Sequence, residues 1–155
     1  MAMAAAAGAL ALAGTMTATG TAQADTIVNP DLAPRVTQNA PVTLLPGQAI
    51  DTGYTRLTLQ TDGNLVVYRT DNRYVAKWAA PGSWGCGTRA TLQTDGNFVV
   101  YGANDRVCWN SNTFKSDPND GVKLEVWGFG GVKIDYISQF ESGPSYSVIS
   151  STDPY

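Results

Sequence analysis

Leu59-Gln60-Thr61-Asp62-Gly63-Asn64-Leu65-Val66-Val67-Tyr68 is written a second time as Leu92-Gln93-Thr94-Asp95-Gly96-Asn97-Phe98-Val99-Val100-Tyr101, with Leu65 alone replaced, by Phe98. The offset is 33 residues at every position. Self-similarity at a fixed period means copies of one supersecondary unit packed together. A unit repeated only for packing would keep its apolar residues and let the polar ones drift. Here Gln, Asp, Asn and Tyr are kept with the valines, so the polar groups have a shared task.

The repeated skeleton is Gln-x-Asp-x-Asn-x-Val-x-Tyr, and its spacing of two is the period of a β-strand. Two registers compete. A two-residue Asp-Gly turn would pair Gln60 with Leu65 and split the polar set between two faces. A three-residue loop, Thr61-Asp62-Gly63 with a left-handed Gly63, pairs Gln60 with Asn64 and Thr58 with Val66. The second register puts Gln60, Asp62, Asn64, Val66 and Tyr68 on one face, and Leu57, Leu59, Leu65 and Val67 on the other. It is the one expected, since the first would bury Gln60 or expose the leucines. The resulting face mixes chemistries: a carboxylate accepts, the amides donate and accept, and the phenol offers a hydroxyl. Vicinal sugar hydroxyls need that mixture, and a valine among them suits the apolar side of a ring.

With these residues in place, the phrase resembles the signature of the bulb-type (monocot mannose-binding, snowdrop-like) lectins. Leu45-Pro46-Gly47-Gln48-Ala49-Ile50-Asp51-Thr52-Gly53 is similar to that family's opening segment. Lys77-Trp78-Ala79 and Cys108-Trp109-Asn110-Ser111-Asn112-Thr113 resemble the Trp-bearing strand that closes each unit. The resemblance covers residues 41–155 and implies an all-β fold, a β-prism II. Such a prism has three four-stranded antiparallel sheets about a pseudo-threefold axis, with the Trp strands sharing a core. It implies mannose bound without a metal or other cofactor. By position, the implied sugar-binding residues are Gln60, Asp62, Asn64, Val66 and Tyr68, and Gln93, Asp95, Asn97, Val99 and Tyr101.

A third unit follows with its polar set lost, in Leu124-Glu125-Val126-Trp127-Gly128-Phe129-Gly130-Gly131-Val132-Lys133-Ile134-Asp135-Tyr136. Counted back from Tyr136, the Gln, Asp and Asn places fall on Gly128, Gly130 and Val132. Counted forward from Leu124, they fall on Glu125, Trp127 and Phe129. Neither restores the polar set, so no mannose site of the family type is expected here. Trp127 and Phe129 either fill a face that lost its ligand or form a patch for a partner. Tyr146 stands ten residues past Tyr136, as Trp78 does past Tyr68, and takes the place of the closing Trp. Tyr146-Ser147-Val148-Ile149 either closes its own prism or exchanges into a homodimer, as family dimers do with their terminal strands.

The rest of the chain sets the context. Residues 1–24 hold an Ala-rich apolar run ending in Ala22-Gln23-Ala24, which reads as a secretory signal peptide, although no Lys or Arg precedes Arg35. Residues 25–40, with prolines and few large apolar side chains, read as a flexible leader to a single domain at 41–155. No other stretch approaches the roughly 20 apolar residues of a membrane span. A net charge of −3 gives no electrostatic reason to expect nucleic acid. The two cysteines of a secreted chain most simply pair, Cys86 with Cys108, although the family's usual disulfide falls at other positions.

An enzyme is the class these residues argue against. The chain has no histidine, the commonest general base. A glycosidase needs two carboxyl groups within about 10 Å of each other, whereas Asp62 and Asp95 belong to different faces of the implied prism. The expectation is a secreted, extracellular lectin with two sites per chain. The alternatives in other classes are a lectin-like antimicrobial protein of the bacteriocin type and a cell-surface structural protein with vestigial sites.

Overall fold

The computed structural model describes residues 25–27, 35–71, 73–115, 121–128, 130–137 and 146–149. Its described strands are β1 (Asp25–Ile27), β2 (Arg35–Asn39), β3 (Val42–Leu44), β4 (Ala49–Asp51), β5 (Thr55–Leu59), β6 (Leu65–Arg69), β7 (Val75–Ala79), β8 (Arg89–Leu92), β9 (Phe98–Tyr101), β10 (Val107–Asn110), β11 (Gly121–Trp127), β12 (Val132–Ile137) and β13 (Tyr146–Ile149). They form three antiparallel sheets, in the orders β4-β5-β6-β7, β10-β9-β8-β3 and β1-β2-β11-β12-β13. A 3₁₀ turn, Ala103–Asp105, interrupts the strands, and no helix among the described residues is long and apolar enough to cross a membrane.

The three-residue loop register holds in both repeats. Thr58 pairs with Val66 and Leu59 with Leu65, while Thr91 pairs with Val99 and Leu92 with Phe98. Gly63 and Gly96 stand at φ +83° and +86°, the left-handed conformation that this loop demands and glycine supplies without penalty. Leu57, Leu59, Leu65 and Val67 therefore point inward with Leu92, Phe98 and Val100, and all are buried in one core. Trp78 and Trp109 pack against that core edge to face, with ring centroids 5.3 Å apart. Each fully buried side chain of the Leu or Phe type contributes about 1.5–3 kcal/mol.

The third sheet repeats the plan. Leu124, Val126, Val132 and Ile134 fill its inward face. Trp78 stands opposite Val67, Trp109 opposite Val100 and Tyr146 opposite Ile134. Tyr146 thus occupies the register position of the closing Trp. β13 pairs with β12 of its own chain.

One boundary and one strand count differ from the sequence expectation. The stretch read as a flexible leader contains β2, which pairs with β11 from Lys123↔Asn39 to Trp127↔Arg35. Val36 and Gln38 point inward from it and are buried. A short segment with one valine makes a strand here because β11 offers it a row of backbone partners, which the local sequence does not reveal. β1 adds outside β2, so this sheet has five strands rather than four. The ribbon of residues 35–51 then places one strand in each sheet: β2 beside β11, β3 beside β8 and β4 beside β5.

The hairpin loops stitch neighbouring units. A Cβ at Gly63 would strike the Gly87 backbone, and one at Gly96 would strike the Tyr136 phenol. The Gly130 amide donates to Thr55 Oγ1 at 2.7 Å. Cys86 and Cys108 form the expected disulfide, closing a separation of 22 residues. Residues 1–24 lie outside the described residues, as does Phe129.

Candidate functional site

Each repeated hairpin builds its outer face in the same way. Gln60 N–H donates to the Asn64 carbonyl (2.8 Å) and Gly63 N–H to the Gln60 carbonyl (2.9 Å), which fixes the loop. Asp62 Oδ1 accepts the Asn64 amide hydrogen at 3.0 Å. Gln60 Nε2 donates to Tyr68 Oη at 2.8 Å. The second unit repeats these contacts, with Asn97 N–H on Asp95 Oδ1 at 2.9 Å and Gln93 Nε2 on Tyr101 Oη at 2.8 Å. Identical residues thus give the same geometry on two different sheets.

Counting valences shows what the face leaves for a ligand. Asp62 is exposed and has spent one carboxylate oxygen on its own loop. Tyr68 accepts from Gln60, so its hydroxyl hydrogen can point outward. Gln60 retains its carbonyl oxygen and a second amide hydrogen. The second unit offers the same from Asp95, Tyr101 and Gln93. Val66 and Val99 lie on this outer side between the polar groups, yet each is only 2% exposed. They form the floor of the site and show little of themselves to a ligand.

Two supporting residues escaped the sequence reading. The Ser83 hydroxyl accepts from Leu65 N–H (3.1 Å) and has two acceptors in reach of its one hydrogen, Asn64 Oδ1 (2.9 Å) and the Ala80 carbonyl (2.8 Å). Ser111 likewise accepts from Phe98 N–H (2.9 Å) and lies 3.2 Å from Asn97 Oδ1, with its one hydrogen directed to Thr113 Oγ1 at 2.6 Å. Each serine hydroxyl thus holds the side chain of its asparagine. Ser111 is backed in turn by Thr113, whose hydroxyl donates to the Gly96 carbonyl at 2.7 Å.

Arg56 and Arg89 are a second pair of this kind, each directly across from a site tyrosine (Arg56↔Tyr68, Arg89↔Tyr101). This pair was legible. The repeat extends back through Thr55-Arg56 and Thr88-Arg89 at the same offset of 33. The two arginines behave differently. Arg89 lies over the Tyr101 ring, 4.3 Å from its centroid, and pairs with Asp105 at 2.9 Å. Arg56 pairs with Asp51 at 3.1 Å, and Tyr68 packs instead on Tyr74, with centroids 4.7 Å apart.

No family model matches the chain, and no curated protein matches it by sequence. Solved structures do. A lectin from Allium sativum is 28% identical with a TM-score of 0.59, over 68% of this chain and 98% of its own. A monomeric monocot mannose-binding lectin from Gastrodia elata is 29% identical with a TM-score of 0.58, over 76% and 96%. The lectin of Polygonatum cyrtonema, solved with a monomannoside, is 28% identical with a TM-score of 0.55, over 77% and 96%. The chain is thus similar in sequence and fold to these monocot lectins.

Against that bulb-type plan the third hairpin can be registered residue by residue, and both sequence alignments of it need correction. Trp127 N–H donates to the Gly131 carbonyl at 2.8 Å, with Gly130 at φ +90°. Trp127 therefore takes the place of Gln60, Gly131 that of Asn64, Lys133 that of Val66 and Asp135 that of Tyr68. Tyr136 is not the counterpart of Tyr68 and Tyr101, despite its near-periodic position. It points into the core, and its hydroxyl donates to the Thr113 carbonyl.

What replaces the Gln-Asp-Asn-Tyr set is a cluster that adds cations around Trp127. Lys133 Nζ reaches Asp135 Oδ1 at 3.0 Å, Trp127 Nε1 donates to Glu125 Oε2 at 3.2 Å, and Arg35 and Lys133 flank the Trp127 ring. Burial raises the Glu125 carboxyl above its ordinary 4.5, reinforced by the Asp135 charge and a hydrogen bond with Asp135, and opposed by Lys133 and Arg35.

Proposed function

We propose that this chain is a secreted lectin that holds terminal mannose-type residues in two sites, Gln60/Asp62/Asn64/Val66/Tyr68 and Gln93/Asp95/Asn97/Val99/Tyr101. The observation that carries this reading is the matched hydrogen bonding of the two hairpins, down to the same 2.8 Å Gln–Tyr contact. In each site the free carboxylate oxygen accepts from one sugar hydroxyl. The Asn NH₂ group and the Tyr hydroxyl donate to its neighbours, so a vicinal diol is gripped from both sides. The grip needs no metal or other cofactor.

The likeness to a Gastrodia elata mannose-binding lectin and to a Polygonatum lectin solved with a monomannoside supports mannose as the sugar. The third face, with Trp127, Gly131, Lys133 and Asp135 in the ligand positions, has no such diol clamp and binds no mannose. The disulfide supports an oxidising, extracellular location, and the Ala-rich residues 1–24 would serve as the signal for export. A shallow polar site of this kind holds a monosaccharide at about millimolar Kd, roughly −4 kcal/mol. Two sites per chain, doubled by an exchange of β13 between two copies, would supply avidity toward branched glycans.

The test is backbone amide NMR during titration with methyl α-mannoside. Shifts should concentrate in residues 60–68 and 93–101 and leave 125–135 in place. Shifts confined to the third sheet, or spread evenly over the surface, would defeat the proposal.

A further inference from the structure

Beyond the diol clamps, the two intact units share a feature that their sequences do not. Gly85 N–H donates to the Asp62 carbonyl at 2.8 Å, and Lys115 N–H donates to the Asp95 carbonyl at 2.7 Å. In both units, then, a later loop returns to brace the backbone of the site's aspartate. The residue immediately before each bracing amide is an exposed aromatic: Trp84, 74% exposed, and Phe114, 65% exposed. They stand 22 residues after Asp62 and 19 after Asp95, off the period of 33, on loops of different length and sequence. One loop is tied by the Cys86–Cys108 disulfide. The other docks on the third unit, where Tyr136 Oη donates to the Thr113 carbonyl and Lys115 Nζ lies 4.2 Å from the Tyr136 ring centroid.

A single exposed tryptophan or phenylalanine needs no explanation. Two unrelated loops that each set an exposed aromatic one residue before the amide bracing the site aspartate's backbone do need one. Each aromatic lies one residue step, about 3.8 Å between Cα atoms, from the amide that holds the site's loop. On the Trp84 side the ground next to the site is also hollow. Trp84 and Gly85 line an open cleft of about 380 Å³ with Gly82, Arg106, Val107 and the disulfide. Gly85 thus both braces the Asp62 backbone and lines the cleft.

We propose that Trp84 and Phe114 are stacking platforms, one beside each site, for the second ring of a mannose-type oligosaccharide whose terminal ring sits in the diol clamp. The electron-rich face of an aromatic ring attracts the positively polarised C–H groups on one side of a pyranose, as it attracts other partial positive charge. An exposed aromatic held by a braced backbone presents that face with little ordering left to do on binding. Val66 and Val99 are almost covered, so the terminal ring meets few apolar atoms in the clamp itself. Apolar contact with the glycan is displaced to the next ring. The site then selects a disaccharide or longer chain over a monosaccharide.

The proposal rests on the mannose reading of the two clamps, and one set of titrations separates the two. Wild type, Trp84→Ala, Phe114→Ala and the double variant are titrated with methyl α-mannoside and with α1,2-, α1,3- and α1,6-linked mannobiose. Both aromatics are exposed, so the variants keep the fold. Wild type should bind one mannobiose roughly three- to tenfold more tightly than the monosaccharide, the scale of one aromatic contact. Each single variant should lose that advantage at one site. The double variant should lose it at both, with methyl α-mannoside binding unchanged. The emission of Trp84 should respond to that mannobiose and not to the monosaccharide.

Equal binding of monosaccharide and disaccharides by wild type, or a preference that survives in the double variant, overturns the platforms and leaves the clamps standing. A double variant whose sedimentation changes from dimer to monomer with its sugar preference intact overturns them too, by assigning the aromatics to contact between copies. No binding of any of these sugars to wild type ends the mannose reading and the platforms together.

Discussion

A serine hydroxyl packs against the asparagine of each proposed clamp, and removing it has a measurable consequence. Ser83→Ala leaves the buried Leu65 N–H without its acceptor, a loss of about 1–3 kcal/mol. It also frees the Asn64 amide to rotate. Thermal unfolding of Ser83→Ala should show that loss, and titration should show the first site weakened with the second intact; unchanged stability with two equal sites would contradict it. The clamp residues themselves were legible because each sits two positions from the next, so the strand period placed them together. Ser83 and Ser111 were not. They lie 28 residues apart rather than 33 and come from loops that reach equivalent points by different routes. The geometry is periodic there and the sequence is not.

At the scale of the element, a hairpin declares its register when its turn residues are unambiguous. Asp62-Gly63-Asn64 left one arrangement that buried the leucines and exposed the polar set. The third hairpin carries glycine at 128, 130 and 131, so its sequence allowed several turns, and Tyr136 made a misleading anchor. β2 was hidden for another reason: a short polar strand draws its stability from the neighbours it pairs with, and β11 lies far along the chain.

Registered as the structure shows, the third hairpin carries a carboxyl with a pH response of its own. The Glu125 carboxyl titrates above its ordinary 4.5 because burial and Asp135 disfavour its charge. The folded protein therefore binds that proton more tightly than the unfolded chain does. The associated stability is fully present below the unfolded value and is lost as pH rises through the folded one. The melting temperature of wild type should fall relative to that of Glu125→Gln as pH climbs from about 4.5 toward neutrality. Parallel curves for the two proteins across that range would refute the assignment.

Over the whole molecule, the three sheets share one core, and each hairpin loop leans on the next unit. Local damage to a loop should therefore reach a site that it does not line directly. The Cys86–Cys108 bridge is the clearest case. By the chain-entropy relation a loop of this length is worth about 3.4 kcal/mol, so Cys86→Ala/Cys108→Ala should melt lower by that order. It should also weaken the first site, whose Asp62 carbonyl is braced by Gly85 on the bridged loop. A variant with the melting temperature and both affinities of wild type would show that the bridge supports neither. The threefold plan was legible from two copies and a degenerate third. The five-stranded sheet was not, because the strands that complete it come from a segment whose composition resembles a tether.

The central claim is that two of three equivalent faces are working clamps. Calorimetric titration with methyl α-mannoside tests it most directly, run on wild type, Asp62→Asn, Asp95→Asn and the double variant. Two equivalents per chain, falling to one in each single variant and to none in the double, is the predicted result. Three equivalents, or binding that survives in the double variant, would contradict it.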